Sequence, residues 1–443
     1  MSLAQQVFDA GVVGDGGAGF PTYKKLVTGP ELLIIDAAEC EPLLGSDKYL
    51  MRSSPADVVA GIEAVAAACQ IPRAVIGIKA HYAREIAALE AAATRASLPI
   101  AFHRLDSFYP AGDEQILIFE VTGRTVPPGG LPADVGVLNM NVTTTANVAR
   151  ATRGEPVTRR YVTVTGAVAA PTIVDAPVGT TAADLIAAAG GVTTPEYVIV
   201  RGGPMMGKHH AAREAATLGY GKADGGLIVL SASHPLVQFM AKPVDRVLAE
   251  TQSMCIQCRA CTDLCPRYLI GHQLRPHRVM RAMQNGADEA LADALLCCEC
   301  GICELYACPM GLSPRQMNVL VKAQLRAAGA SIADRSVHTG QTAERAYRRL
   351  PQSRLIERLG LTAYPTTIES LVRLDPETVR LPTRHGVGVA GRPCVAAGDQ
   401  VSVGQVVAEV SPGEMGALVH ASLTGRVTDV APDHITIRRE GGR

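Results

Sequence analysis

The sequence predicts a multidomain protein of mixed α/β and α+β class. Three observations carry that reading. The chain has 443 residues, enough for about three domains at roughly 150 residues each. Its hydrophobic texture changes along its length: strands alternate with helices up to about residue 150, β-branched alternation begins at residue 161, and short glycine-punctuated strands follow residue 381. Nine of the twelve cysteines fall between Cys255 and Cys308. A secreted disulfide scaffold is short and spreads its cysteines through the fold, so this clustering points elsewhere.

Charge and composition exclude some functions. Lys plus Arg total 42 and Asp plus Glu total 42, giving zero formal net charge. A broad nucleic-acid footprint or a polybasic membrane anchor needs excess positive charge. Trp is absent, and 11 Tyr with 6 Phe are few for a base-stacking platform. The N-terminus MSLAQQVFDAGVVGDGG lacks the basic and apolar regions of a signal peptide, and no run of about 18 apolar residues appears. The expectation is a soluble cytoplasmic protein with no transmembrane segment and no nucleic-acid partner.

Residues 1–155 read as an α/β domain. LLIID (32–36) is a short apolar strand. Ser54 and Pro55 then open the helix ADVVAGIEAVAAACQ, with Ser as N-cap and Pro at the first helical position. AVIGIK reads as a strand, HYAREIAALEAAATRA as a helix and PIAFHRL as a strand. That alternation predicts a layered, Rossmann-like domain on a largely parallel sheet. Residues 156–238 read as a small β-grasp-like α+β unit: YVTVTGAV alternates, TTAADLIAAAGG is a short helix with a glycine stop, and YVIVRGGPMMG runs from a strand into a turn. Residues 239–330 are helical around the cysteines and end in SPRQMNVLVKAQLRAAG, with a Ser N-cap and a Gly stop. Residues 331–380 are a charged, proline-punctuated connector. Residues 381–443 are a small sandwich or barrel.

The cysteine block has the most specific spacing. Cys255, Cys258, Cys261 and Cys265-Pro266 form C-x2-C-x2-C-x3-C-P, the bacterial ferredoxin run. Cys297, Cys300, Cys303 and Cys308-Pro309 repeat it with one extra residue before the last cysteine. In such runs three cysteines wrap one cubane and the fourth serves the other cluster. The predicted first 4Fe–4S cluster takes Cys255, Cys258, Cys261 and Cys308, and the second takes Cys297, Cys300, Cys303 and Cys265. A pair of zinc sites is the alternative, but zinc does not ask for CxxCxxC triplets ending in Cys-Pro. Cys298 breaks the x2 spacing to Cys300 and reads as a non-ligand. Cys69 and Cys394 read as packing residues. His209, His210, His272 and His277 read as surface or packing histidines.

GVVGDGGAGFPTYKK (11–25) is glycine-rich, with Lys24 and Lys25 at a helix start. Such a loop lets the backbone approach a phosphate or a flavin ring, although by spacing alone a flexible loop is an equal alternative. The stretch resembles the GRGGAGFPTGLKW-type segment of the NADH-oxidising flavoprotein subunit of respiratory complex I and of the C subunit of the Rnf oxidoreductase. Three further stretches agree in order: IIDAAECEPLLGSDKYLMR (34–52), FYPAGDEQILI (108–118) and LNMNVTTTANV (138–148). The unit after Tyr161 resembles the family's SLBB β-grasp domain. The C-terminal unit resembles a barrel-sandwich of lipoyl/biotinyl type, but GEMGALVHASLTG offers no lysine for modification. In the Rnf subunit the barrel-sandwich precedes the flavin domain. Its C-terminal position here resembles the cobalamin reductases of propanediol-utilisation microcompartments.

That resemblance implies FMN, NADH and two 4Fe–4S clusters as cofactors. It implies that Gly16, Gly17, Gly19 and Lys25 serve the flavin, that Glu39 and Glu41 approach flavin and nicotinamide, and that Tyr109, Gly112 and Glu114 form a second flavin-contact segment. It adds Asn141 and Thr144. Cys40 interrupts the acidic loop, Met140 replaces the first Asn of the family's Asn pair, and Asp15 stands where the respiratory subunit has Arg. Flavin between NADH and the clusters is chemically apt, because a hydride carries two electrons and a cluster takes one. The implied activity is NADH-dependent reduction of a corrinoid. The implied setting is a bacterial microcompartment, with a B12-dependent enzyme system or adenosyltransferase and a shell protein as partners. The alternative is an electron conduit to an iron–sulfur shell protein, and a third reading is an assembly module with structural clusters.

Overall fold

The computed structural model describes residues 1–443 except Gly17, 286–287, 333–339, Pro412 and 441–443, together with the side chains of 284–290. Gly17 of the glycine loop therefore lies outside the described residues. No helix among the described residues is long and apolar enough to cross a membrane.

The first unit is a parallel four-stranded sheet in the order Ile100–Leu105, Ala74–Lys79, Leu32–Ala37, Val137–Asn141. Ile35 lies opposite Ile76 on one side and Met140 on the other. The LLII run is continuously apolar because both faces of its strand are covered. Leu33 and Ile35 enter one core with Val58 and Ile62 of the Pro55–Cys69 helix, whereas Leu32 and Ile34 enter another with Ile116 and Leu117. Pro55 opens its helix as expected, but Ser54 makes no side-chain cap hydrogen bond. Gly61 lets that helix touch the Val142–Thr152 helix: a Cβ there would overlap the Thr145 carbonyl oxygen.

The second unit is a mixed six-stranded sheet with the Ala182–Ala188 helix packed on it. One edge strand, Leu371–Arg373, comes from the connector and pairs in parallel with Thr172–Pro177. Leu350–Pro351 of the connector pairs with Phe108–Tyr109 of the first unit. The connector is therefore built into the domains on both sides. Thr378–Pro382 already belongs to the C-terminal unit, where it pairs with His434–Arg438. That unit is two small sheets around Val379, Leu381, Val407, Val419 and Ile435. Cys69 is buried, but Cys394 is exposed on the short Arg392–Pro393 edge, so the expected packing role fails there.

One core joins four segments. Leu43, Leu44 and Tyr109 of the first unit meet Val200, Met205 and Ile228 of the second, Ile302 and Leu305 of the cysteine region, and Leu355 and Leu361 of the connector. Buried apolar surface is roughly proportional to stabilisation, so this shared cluster holds the units in one arrangement.

Gly61→Ala should destabilise the first unit by about 1–3 kcal/mol, the usual cost of overpacking. A urea unfolding midpoint unchanged from the parent would show that the two helices do not need this close approach.

Candidate functional site

In a doubly wound sheet the ligand crevice lies beyond the C-terminal strand ends, where the strand order reverses. Here that point falls between Leu32–Ala37 and Val137–Asn141. The glycine loop is tied down beside it. The Asp15 amide donates to the Thr144 hydroxyl at 2.8 Å, and Arg160 pairs with the Asp15 carboxylate at 3.3 Å. Asn141 caps the Val142–Thr152 helix by accepting the Thr143 and Thr144 amides, while its Nδ2 donates to Asp47 at 2.9 Å. Gly16, at φ +100°, sits over Asn141. Gly16, Asn141 and Thr144 thus come together.

The other expected residues divide. Lys25 pairs with Glu114 at 3.2 Å, and both are partly exposed. Gly112 packs against Asp36, leaving a Cβ only 3.3 Å from either carboxylate oxygen. Gly19, at φ +60°, packs against His385 and Gly386 of the C-terminal unit, where a Cβ would overlap the His385 carbonyl oxygen. Tyr109 is buried, and its hydroxyl donates to the Cys300 carbonyl at 2.8 Å. The Glu39 side chain accepts the Glu41 amide at 3.0 Å, and its carbonyl accepts from Lys79 at 2.7 Å. Glu41 accepts the Met205 amide of the second unit at 2.9 Å. Close approach is possible because Gly203 has no side chain there.

The crevice is crowded with carboxyls. Burial pushes Asp36 up to about 7, Glu39 to about 8, Glu41 to about 7 and Asp47 to about 6. Burial also holds the Lys79 ammonium below its usual range. Asp36, Asp47, Lys79 and Arg160 were not anticipated from sequence. Asp36 had a legible signal, a carboxylate at the end of a buried strand. Arg160 had none, because it reaches the loop from the second unit.

The two cysteine runs fold alike. Gln257 and Glu299, each two residues after the first cysteine of its run, have φ of 56° and 64°. Arg259 and Gly301, four residues after it, have φ of 66° and 82°. Cys265 and Cys308 are both extended before proline, at φ/ψ of −70°/119° and −75°/114°, as the proline ring demands. The extra residue of the second run is taken up in a π-helical turn, Cys303–Ala307, which bulges where an α-turn would fall one residue short. Cys255, Cys258, Cys261 and Cys308 line one open hollow of about 330 Å³. Cys265 and Cys303 neighbour Cys297 in a second group, and Cys300 adjoins Cys265, Cys303 and Cys298. Cys298, read from sequence as a non-ligand, lies beside Cys300 and Arg267. Thiolates spread around a hollow suit a cluster with iron at several corners. N–H donors reach three sulfurs: Gln257 to Cys255 at 3.2 Å, Glu299 to Cys297 at 3.4 Å and Leu312 to Cys308 at 3.4 Å.

The second group is bolted to the crevice. Besides Tyr109, Arg267 pairs with Asp113 at 2.9 Å. Arg315 donates to the Met205 carbonyl at 2.7 Å and pairs with buried Glu304 at 2.6 Å. Arg315 had a weak signal in sequence, its place shortly after the second Cys-Pro.

Comparison with known proteins agrees with this layout. Residues 7–150 match the Nuo51 FMN-binding domain, 161–208 the SLBB domain, 254–313 the 4Fe-4S dicluster domain and 365–440 the RnfC barrel sandwich hybrid domain. Cobalamin reductase PduS of Salmonella typhimurium is 42% identical over 99% of this chain and 96% of its own length. The same-named protein of Citrobacter freundii is 40% identical over 99% and 96%. The C subunit of an ion-translocating oxidoreductase complex of Erwinia tasmaniensis is 38% identical over 61% of this chain and 33% of its own length. An NAD+-reducing nickel–iron hydrogenase structure aligns with a TM-score of 0.48 and 23% identity over 77% of this chain and 68% of that one.

A carboxyl raised by folding stabilises the fold below its ordinary pKa and loses that contribution as pH rises through the folded value. For Glu39 the loss runs from about 4.5 to about 8. In thermal melts of cofactor-free protein, Glu39→Gln should therefore gain on the parent as pH rises from about 6 to about 9. A constant difference across that range would remove the buried-acid account.

Proposed function

The chain belongs to the PduS cobalamin reductase family, and from that premise we propose that it is an NADH-dependent oxidoreductase delivering electrons to a corrinoid. The observation that carries the reading is the hydrogen bond from Tyr109 to the Cys300 backbone. It puts a buried side chain of the FMN-binding unit in direct contact with the backbone of the second cysteine loop. When bound, FMN would take a hydride and release single electrons, which 4Fe–4S clusters would carry onward.

The chain's own residues have the following roles. Gly16, Asn141 and Thr144 shape the crevice wall, and Gly17 extends the same glycine run. Lys25 offers charge to a phosphate by exchanging its partner Glu114. Glu39 and Glu41 border the crevice, and hydride transfer asks them to position groups rather than to remove a proton. Cys255, Cys258, Cys261 and Cys308 hold one cluster. Cys265, Cys297, Cys300 and Cys303 hold the other. The donor sets fit: each is four thiolates, and three sulfurs already receive N–H bonds of the kind that tune cluster potential. A microcompartment setting, with a shell protein and an adenosyltransferase as partners, completes the proposal.

Anaerobic reconstitution with iron, sulfide and FMN, followed by NADH titration, tests it. Flavin absorbance should bleach, two interacting S = 1/2 signals should appear, and cob(III)alamin should then be reduced. Absence of bleaching would remove the NADH assignment. Cys258→Ala and Cys300→Ala should each lower bound iron from about eight to about four per chain, because each cubane carries four. Full iron in both variants would overturn the ligand sets.

A further inference from the structure

The two thiol groups occupy unlike surroundings. The Cys265/Cys297/Cys300/Cys303 group is fastened to the FMN-binding unit through Tyr109, Arg267 and Asp113. The two groups adjoin, with Cys303 in range of Cys261. The Cys255 group lies beyond, and its hollow opens to solvent. Cys261 and Cys308 are 8% exposed, as are Cys300 and Cys303, but Cys258 of the first group is exposed and the second group has no exposed member.

The rim of that hollow has a distinctive surface. Ile256 is 62% exposed, Met254 41% and Met310 38%. Arg259 and Arg278 are exposed beside them. His277, which lines the hollow, has Arg259, Arg275 and Arg278 as near cations and Asp263 as its near carboxylate. Arg259 pairs with Asp263 at 3.5 Å, and Asp293 lies near Arg275 and Arg278. Three guanidiniums thus meet two carboxylates, and the rim keeps a net positive charge around its apolar centre. That is the composition of a transient docking surface for a partner of opposite sign. The patch is small, as suits redox encounters that bury less than about 1,200 Å².

We propose that the Cys255/Cys258/Cys261/Cys308 cluster is the exit terminal, and that Ile256, Met254, Met310, Arg259 and Arg278 dock an acidic-faced redox protein there. This rests on the two-cluster reading above. The balance is one NADH to two one-electron acceptors, releasing NAD+ and one proton. The acceptor carries no proton and breaks no bond.

Two experiments test it. In the first, reconstituted protein with excess NADH reduces native cytochrome c, which is basic, or succinylated cytochrome c, whose lysines have become carboxylates. The succinylated form should be reduced about tenfold faster at low salt, and high salt should erase the advantage. Arg278→Glu, which lies outside the cysteine loop, should remove most of that advantage while flavin bleaching by NADH is unchanged. Equal rates for the two cytochromes, or a variant as selective as the parent, overturn the proposal.

The second experiment does not depend on NADH. In metal-free protein, iodoacetamide should modify Cys258 at least tenfold faster than Cys300. In dithionite-reduced holoprotein, an anionic dysprosium chelate should speed relaxation of the EPR signal that Cys258→Ala removes and spare the one that Cys300→Ala removes. Equal labelling, or relaxation of the other signal, overturns the assigned order. Failure of NADH to bleach the flavin would instead count against the function alone.

Discussion

The Glu41 carboxylate is the constraint on which the arrangement of parts depends. It is held in a largely covered position, where an isolated charge is expensive. It resolves the cost by accepting the Met205 amide, with Arg315 close by. Arg315 in turn grips the Met205 carbonyl and Glu304. One carboxylate and one guanidinium therefore tie together the crevice loop, the second unit's glycine turn and the second cysteine loop. The shared apolar core around Met205, Tyr109 and Ile302 surrounds this knot and keeps water from it. Removing Arg315 would leave buried Glu304 without its cation, which is why such a pair registers neighbouring elements firmly.

A second junction works by a different rule. Lys222 is buried between three units and donates to the carbonyls of Gly11 and Leu418 at 2.8 Å. Burial lowers it to about 7, so near neutrality it needs little counter-charge. Arg160 accompanies it, donating to the Lys222 carbonyl and pairing with Asp15 of the glycine loop. The loop is thus held from the second unit, and Gly19 is pressed against the C-terminal one. The barrel-sandwich, which lacks a modifiable lysine, acts here as a buttress for the loop as well as a surface module.

The cysteine loops show how a fold absorbs an irregular sequence. Two runs with different final spacings reach matching Cys-Pro geometry because one of them inserts a π-turn. The positive φ values at Gln257, Arg259, Glu299 and Gly301 place both loops in the same path. Three of those four residues are not glycine, so the conformation is imposed by what the loops must wrap and not by local preference.

The sequence by itself determined the element types, the class of each unit and the presence of a two-cluster cysteine region, because those follow from periodicity and from spacing within single segments. Its alternation of LLIID, AVIGIK and PIAFHRL with helices was enough for the parallel sheet. It misjudged Cys394, whose apolar surroundings in sequence do not become a core. Tertiary structure alone decided which residues share the crevice. Asp47, Lys79 and Arg160 arrive there from helices and strands far apart in the chain, and Tyr109 and Glu41 turn toward the cysteine loop. Such meetings depend on the packing of whole units against one another, which no local pattern encodes.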